Sequence, residues 1–250
     1  MAATEGGGGV PAYRGAAREV AARILAGDIG PGGRVPSERE LAVEYGISRM
    51  TARSAIRLLE KRGLVERRGR SGTFVSAPKI EIDLSSVAGF SSRLLRQGIS
   101  PGAEVVEART VPASEIDARG AESLGVSADE AVHVLVRTRT GNGEPLALEE
   151  SHFPARLCPD LLERDLTGSV YDVLRESYGL DPAHLRQEVE VTQLDTDAAE
   201  KLGVRADVPI LRVVRVAWDA ERRPIEFARD LYRGDRLIFV SDTEQTSEEG

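Results

Sequence analysis

The sequence predicts an α+β protein of two domains: a helical N-terminal domain with a two-stranded wing, then a domain built on an antiparallel sheet with helices on one face. Three observations predict it. Residues 36–75 set out two capped helices, a tight turn between them and a glycine–arginine loop, in that order. The helix and strand of residues 121–137 recur at 199–215. The charge is also divided: residues 11–78 hold 13 Arg or Lys against 7 Asp or Glu, although the whole chain carries −8, and such asymmetry marks a domain boundary.

At 250 residues and 41% hydrophobic content, the chain is long enough for two cores. No run approaches the roughly 20 apolar residues that span a bilayer, and the glycine-rich N-terminus lacks the pattern of an export signal, so a cytoplasmic protein without a membrane partner is expected. A lone cysteine, Cys158, excludes an intramolecular disulfide and a cysteine-based zinc site, and reads as a small buried hydrophobe.

Residues 1–10, with four glycines at 6–9, are expected to be a disordered tail. Ala17, Val20, Ala21 and Ile24 form one apolar stripe, closed by Gly27, and predict a supporting helix over 13–26. Ser37 with Glu40 three residues on makes a capping box, so a short helix starts there. Gly46 breaks it and Ser48 caps a second helix, whose apolar stripe is Ala52, Ala55, Ile56 and Leu59. Arg49, Arg53, Arg57 and Glu60 line the other side. This is a helix-turn-helix, in which the N-terminal end of the second helix meets base edges and guanidinium groups bond guanine bidentately. Gly63 ends the helix, and Leu64–Arg67 and Thr73–Val75 flank a loop as the wing. Its Arg67, Arg68 and Arg70 supply charge for phosphates or a narrow minor groove.

The winged domain is placed at 11–76, a linker at 77–84, the second domain at 85–242 and a tail at 243–250. In the second domain, Phe90–Gln97 reads as a helix and Val105–Thr110 as a strand. Each copy of the repeat is a helix followed by a long hairpin, with turns at 141–145 and 219–224. Ser169–Tyr178 is a further helix and Glu188–Gln193 a further strand.

Residues 36–75 closely resemble the winged helix-turn-helix of the GntR family of bacterial transcription regulators, through Pro36-Ser37-Glu38-Arg39, Ser48-Arg49-x-Thr51-x-Arg53 and Gly72-Thr73-Phe74-Val75. The resemblance implies that Arg39 contacts backbone or base, that Arg49 and Arg53 read the major groove with Ser48 and Thr51 on phosphates, and that Gly69 leads the wing into the minor groove. Residues 80–242 resemble the UTRA effector domain of the HutC subfamily, through 143–149, Ser169-x-Tyr171, Pro224-Ile225-Glu226-Phe227 and 232–236. A fold like that of chorismate lyase is implied by that resemblance.

Arg137 and Arg139 lie two apart on a strand, hence on one face, where they are either a clamp for a phosphate or carboxylate or a salt-bridged face. Glu149, on the partner strand, is either a ligand contact or their cross-strand ion-pair partner. Ser169 at a helix start suits an anion as well as a simple cap. The resemblance implies that Arg137, Arg139, Ser169 and Tyr171 hold an effector's anionic group, that Glu149, Glu226 and Tyr232 hold its polar body, and that Ser91 adds a contact. A sugar phosphate is the preferred ligand and a small carboxylate the alternative.

The expected function is a homodimeric repressor on an inverted-repeat DNA operator, controlled by that effector and needing no cofactor or metal. A lyase-like enzyme and an architectural DNA-binding protein are the competing readings. His133, His152 and His184 have no metal-ligand spacing and no nucleophile elbow or P-loop is present, which speaks against the enzyme.

Overall fold

The computed structural model describes residues 11–69, 71–205 and 208–243. The expected tail at 1–10, Arg70, and all but the first residue of the expected tail at 243–250 lie outside them. The chain divides into two compact units, Met1–Pro78 and Lys79–Gly250.

In the first unit, α1 (Ala12–Leu25), α2 (Glu38–Glu44) and α3 (Arg49–Lys61) pack their small and branched side chains into one core. The sequence builds this locally. Ser37 Oγ accepts from the Glu40 amide at 3.2 Å and the Ser37 amide donates to Glu40 Oε2 at 2.7 Å, which closes the capping box. Gly46 turns the chain at φ 61°, in the left-handed region open to glycine, and Ser48 Oγ caps α3 through the Thr51 amide. Strands β1 (Val65–Arg67) and β2 (Thr73–Val75) pair antiparallel to form the wing.

The second unit begins with a departure from expectation. The stretch 77–84, read as linker, contains strand β3 (Ile80–Asp83), which pairs in parallel with the C-terminal strand Leu237–Val240. Its alternating Ile80 and Ile82 is a strand signal: Ile82 is fully buried beside Leu237. After α4 (Phe90–Arg96) comes β4 (Pro101–Pro112), longer than the predicted 105–110, then α5 (Ala118–Leu124) and the hairpin β5 (Ala131–Gly141) and β6 (Glu144–Pro154). Asn142 at φ 50° and Gly143 at φ 80° make the tight turn. Helix α6 (Val170–Tyr178) is followed by β7 (His184–Thr192), α7 (Thr196–Lys201), β8 (Ile210–Trp218), β9 (Pro224–Arg233) and β10 (Leu237–Val240).

The six-stranded sheet has the order β4-β5-β6-β9-β8-β7, with antiparallel neighbours throughout. The repeat is larger than the sequence reading had it. Each copy starts with a strand, β4 or β7, so the two strand–helix–hairpin units meet at β6 and β9, with β4 and β7 at the edges.

Helices cover both faces of the sheet, not the single face expected. Phe90 and Leu94 of α4 pack with Val213, whereas Leu124 of α5 packs with its neighbour Val214. Successive strand residues point to opposite faces, so the two helices lie on opposite sides. The unbroken buried run Val132–Arg139 on β5 records the same double coverage.

Candidate functional site

In the first unit, α2, α3 and the wing enclose a groove of about 340 Å³ lined by Arg34, Glu38, Arg39, Arg49, Arg67 and Gly69, among others. Arg49 and Arg53 are exposed on α3, and Arg49 stands at its first turn. Ser48 Oγ and Thr51 Oγ1 lie 2.8 Å apart at the same helix end, where Ser48 Oγ also caps α3 through the Thr51 amide.

Not every wing arginine is loose. Arg67 donates through Nε to Glu60 at 2.8 Å and through Nη2 to Glu38 at 3.1 Å, so its charge is matched within the protein. Arg68 donates to Glu66 at 2.8 Å with its guanidinium 4.9 Å from the Phe74 ring centroid, and remains exposed. Pairs this exposed are weak and exchange readily for phosphate contacts. Arg34 and Glu38 are the charged groove residues to which the sequence assigns no role at DNA.

In the second unit one cavity, of about 30 Å³, gathers Ser91, Arg137, Arg139, Glu149, Ser169, Tyr171, Glu226 and Tyr232. All eight were named from the sequence. Strand register brings them together. Arg137 on β5, Glu149 on β6 and Asp230 on β9 are consecutive partners across the sheet, and Ala147 opposite Tyr232 extends the same face. Helix α4 contributes Phe90, Ser91 and Arg93 from above, and α6 contributes Tyr171.

The cross-strand pairing is real: Arg137 Nη2 and Arg139 Nη1 both donate to Glu149 Oε2, at 2.9 and 2.8 Å. Arg139 also donates to Ser91 Oγ at 2.7 Å, and Arg137 to the Leu166 and Gly168 carbonyls. Ser169 Oγ accepts from the Asp172 amide as a cap. Tyr171 donates to Glu226 at 2.6 Å, and Tyr232 to Asp230 at 3.2 Å.

Four residues beneath or beside this set escaped the sequence reading: Phe90, Arg93, Arg215 and Asp230. Arg215 bridges Glu226 and Asp230, at 3.2 and 2.7 Å. A signal for it existed, because the internal repeat aligns Arg215 with Arg137. Arg93 is 6% exposed and donates Nη2 to the Ser86 carbonyl, yet it has no ion pair among the described residues and its Nε has no partner.

Burial alone would raise the Glu149 carboxyl, but Arg139, Arg137 and Arg215 outweigh it and pull it down to about 2. Burial, resisted by Arg215 and reinforced by Glu149 and Glu226, pushes Asp230 up to about 7. Two carboxylates directly opposite on neighbouring strands cannot both ionise cheaply. Burial also lifts the Tyr171 and Tyr232 hydroxyls well above their ordinary range, so both stay protonated donors. With Arg93, Arg137, Arg139 and Arg215 set against Glu149, Glu226 and Asp230, the site carries an excess of positive charge even when every carboxylate is ionised.

Comparison with known proteins agrees with this geometry. Residues 12–75 match the model of the bacterial regulatory proteins of the gntR family, and residues 96–238 match the UTRA domain. The chain is 32% identical to the HTH-type transcriptional repressor NagR of Bacillus subtilis, over 92% of this chain and 94% of that one. It is 26% identical to the mannosyl-D-glycerate transport/metabolism system repressor MngR of Escherichia coli, over 92% and 95%. The crystal structure of PhnF from Mycobacterium smegmatis superposes with a TM-score of 0.66 at 33% identity, over 92% of this chain and all of that one. Among the described residues no helix is long and apolar enough to cross a membrane. A winged groove in one unit and a polar cavity in the other, in a chain whose relatives are regulators and not enzymes, make this protein a DNA-binding transcriptional regulator of the GntR family with a UTRA effector domain.

Proposed function

We propose that this regulator is a repressor that binds an inverted repeat as a homodimer, with Arg39, Ser48, Arg49, Thr51, Arg53, Arg68, Gly69 and Arg70 at the DNA, and that an anionic small molecule in the UTRA cavity controls it. The observation that carries the ligand class is Arg93: a buried guanidinium with no carboxylate of its own, beside a clamp of two more arginines. An uncompensated buried cation is costly, and a ligand anion relieves that cost.

A sugar phosphate suits the whole set. The arginines and Ser91 receive the phosphate, Glu149 and Glu226 accept hydroxyl or amino protons, and the protonated Tyr171 and Tyr232 donate. That a relative is named for mannosyl-D-glycerate, a sugar joined to a carboxylate, keeps a carboxylate ligand as the second reading. The cavity of about 30 Å³ holds roughly one water, so the ligand has to displace side chains or the internal ion pairs to enter.

Thermal unfolding with hexose 6-phosphates, the same sugars without phosphate, and small dicarboxylates tests this. A melting temperature raised by a sugar phosphate, unmoved by the neutral sugar, and insensitive to either in Arg93→Gln is expected. Stabilisation by the neutral sugar as strong as by its phosphate sinks the anion reading.

A further inference from the structure

Glu38 sits where an acidic group is least welcome. It belongs to the wall of the groove formed by α2, α3 and the wing, among Arg34, Arg39, Arg49 and Arg67, and DNA phosphates repel a carboxylate there. What it does in the structure is hold two arginines. Arg53 Nε lies 3.1 Å from Glu38 Oε1 and 3.2 Å from Oε2, and Arg67 Nη2 lies 3.1 Å from Oε1. Arg67 is fixed from its other side by Glu60. One carboxylate therefore ties together the first residue of α2, the outward face of α3 and the last residue of β1.

The choice of nitrogen matters. Arg53 is held through Nε, and among the described residues nothing engages its Nη1 or Nη2. Those two terminal nitrogens are the edge that bonds guanine O6 and N7 bidentately. A free arginine loses side-chain freedom and must find its plane when it meets a base, and one clamped at Nε has both settled beforehand.

We propose that Glu38 is a specificity-determining positioning residue for DNA recognition: it holds Arg53 by Nε so that only the Nη1/Nη2 edge is offered to a base, and ties that edge to the wing through Arg67. The proposal rests on the family reading that α3 enters DNA. Its cost is repulsion from every phosphate backbone, which weakens binding to all sequences. Its benefit falls only on the sequence that Arg53 reads.

The test selects a preferred duplex from a random double-stranded library with the full-length wild-type chain. Affinity is then measured by fluorescence anisotropy for that duplex and a scrambled one, at two salt concentrations. Failure of the wild type to select any duplex removes the family reading, and is seen before any variant is made. Given a selected duplex, Glu38→Gln should lose about tenfold or more of the ratio between the two affinities, with scrambled binding unchanged or tighter. In an Arg53→Ala background the same change should leave the remaining ratio nearly untouched, because Glu38 acts through Arg53. An equal change of both affinities in Glu38→Gln, or a fully additive loss in the double variant, overturns the proposal. Should Glu38→Gln not fold, Glu38→Asp decides: it keeps the charge but draws the carboxylate back by one methylene from Arg53 Nε. A selective loss on the selected duplex supports the proposal and full discrimination overturns it.

Discussion

In the N-terminal unit Arg39, Arg49, Arg53 and Arg57 stand exposed, and the pairs that Arg53, Arg67 and Arg68 make are open to water. In the C-terminal unit Arg93, Arg137, Arg139 and Arg215 are all 9% exposed or less, and carboxylates are built in beside three of them. The same side chain is used in two dielectric settings. At the surface, high dielectric and salt make each ion pair weak, so Arg68 can exchange Glu66 for a phosphate, while the Nη edge that Arg53 leaves open beside Glu38 stays within reach of a base. In the interior each charge needs a fixed counter-charge, and a cation left without one marks where a ligand's charge belongs.

The largest effect that follows is on the buried side. Glu149→Ala leaves Arg137 and Arg139 buried without their shared carboxylate, and should destabilise the protein by about 3–5 kcal/mol. Urea unfolding measures it. A loss within the range of an exposed pair, about 1 kcal/mol or less, would erase the contrast between the two units.

The pH dependence sharpens the comparison within the cavity itself. Glu149, depressed in the folded state to about 2, contributes stability that is present above its ordinary value and lost as pH falls through about 2. Asp230 runs the other way. Its carboxyl is raised to about 7, so the folded state holds a proton the unfolded chain has released, and stability declines as pH rises from about 4 through 7. One such proton bounds the slope at about 1.4 kcal/mol per pH unit. Asp230→Asn should flatten the curve between pH 5 and 7, and a slope as steep as in the wild type would show that another group sets it.

On the exposed side the effects are smaller. Ser48→Ala removes the cap of α3 and should cost about 1 kcal/mol of stability. The same change should weaken DNA binding as well, because Ser48 Oγ lies with Thr51 Oγ1 at the helix end proposed to meet DNA. Unchanged stability would remove the capping argument.

The two units were also unequally legible. The first was readable almost residue by residue, because its determinants are local: a capping box four residues long, a glycine turn, an i, i+3, i+4, i+7 stripe. All four residues of the α3 stripe are buried as expected. In the second unit the repeat disclosed the hairpins, and period-two reasoning put Arg137 and Arg139 on one face. The pairing of Ile80–Asp83 with Leu237–Val240 joins segments far apart in sequence, which no local pattern announces. Coverage of both sheet faces was hidden for the same reason, although the unbroken apolar run Val134-Leu135-Val136 hints at it. Arg93 and Asp230 were missed because each looks like an ordinary helix or strand residue until register sets Asp230 against Glu149, and until α4 leaves Arg93 without a carboxylate.

The most direct measurement crosses the two arginine populations. Fluorescence anisotropy on a selected duplex, with and without the ligand found by thermal unfolding, would compare the wild type with Arg49→Ala and Arg93→Gln. Arg49→Ala should lose roughly 1–3 kcal/mol of duplex binding while still being stabilised by the ligand. Arg93→Gln should bind the duplex like the wild type and no longer respond to the ligand. Wild-type duplex affinity in Arg49→Ala, or an intact ligand response in Arg93→Gln, would contradict the division of labour between exposed and buried arginines.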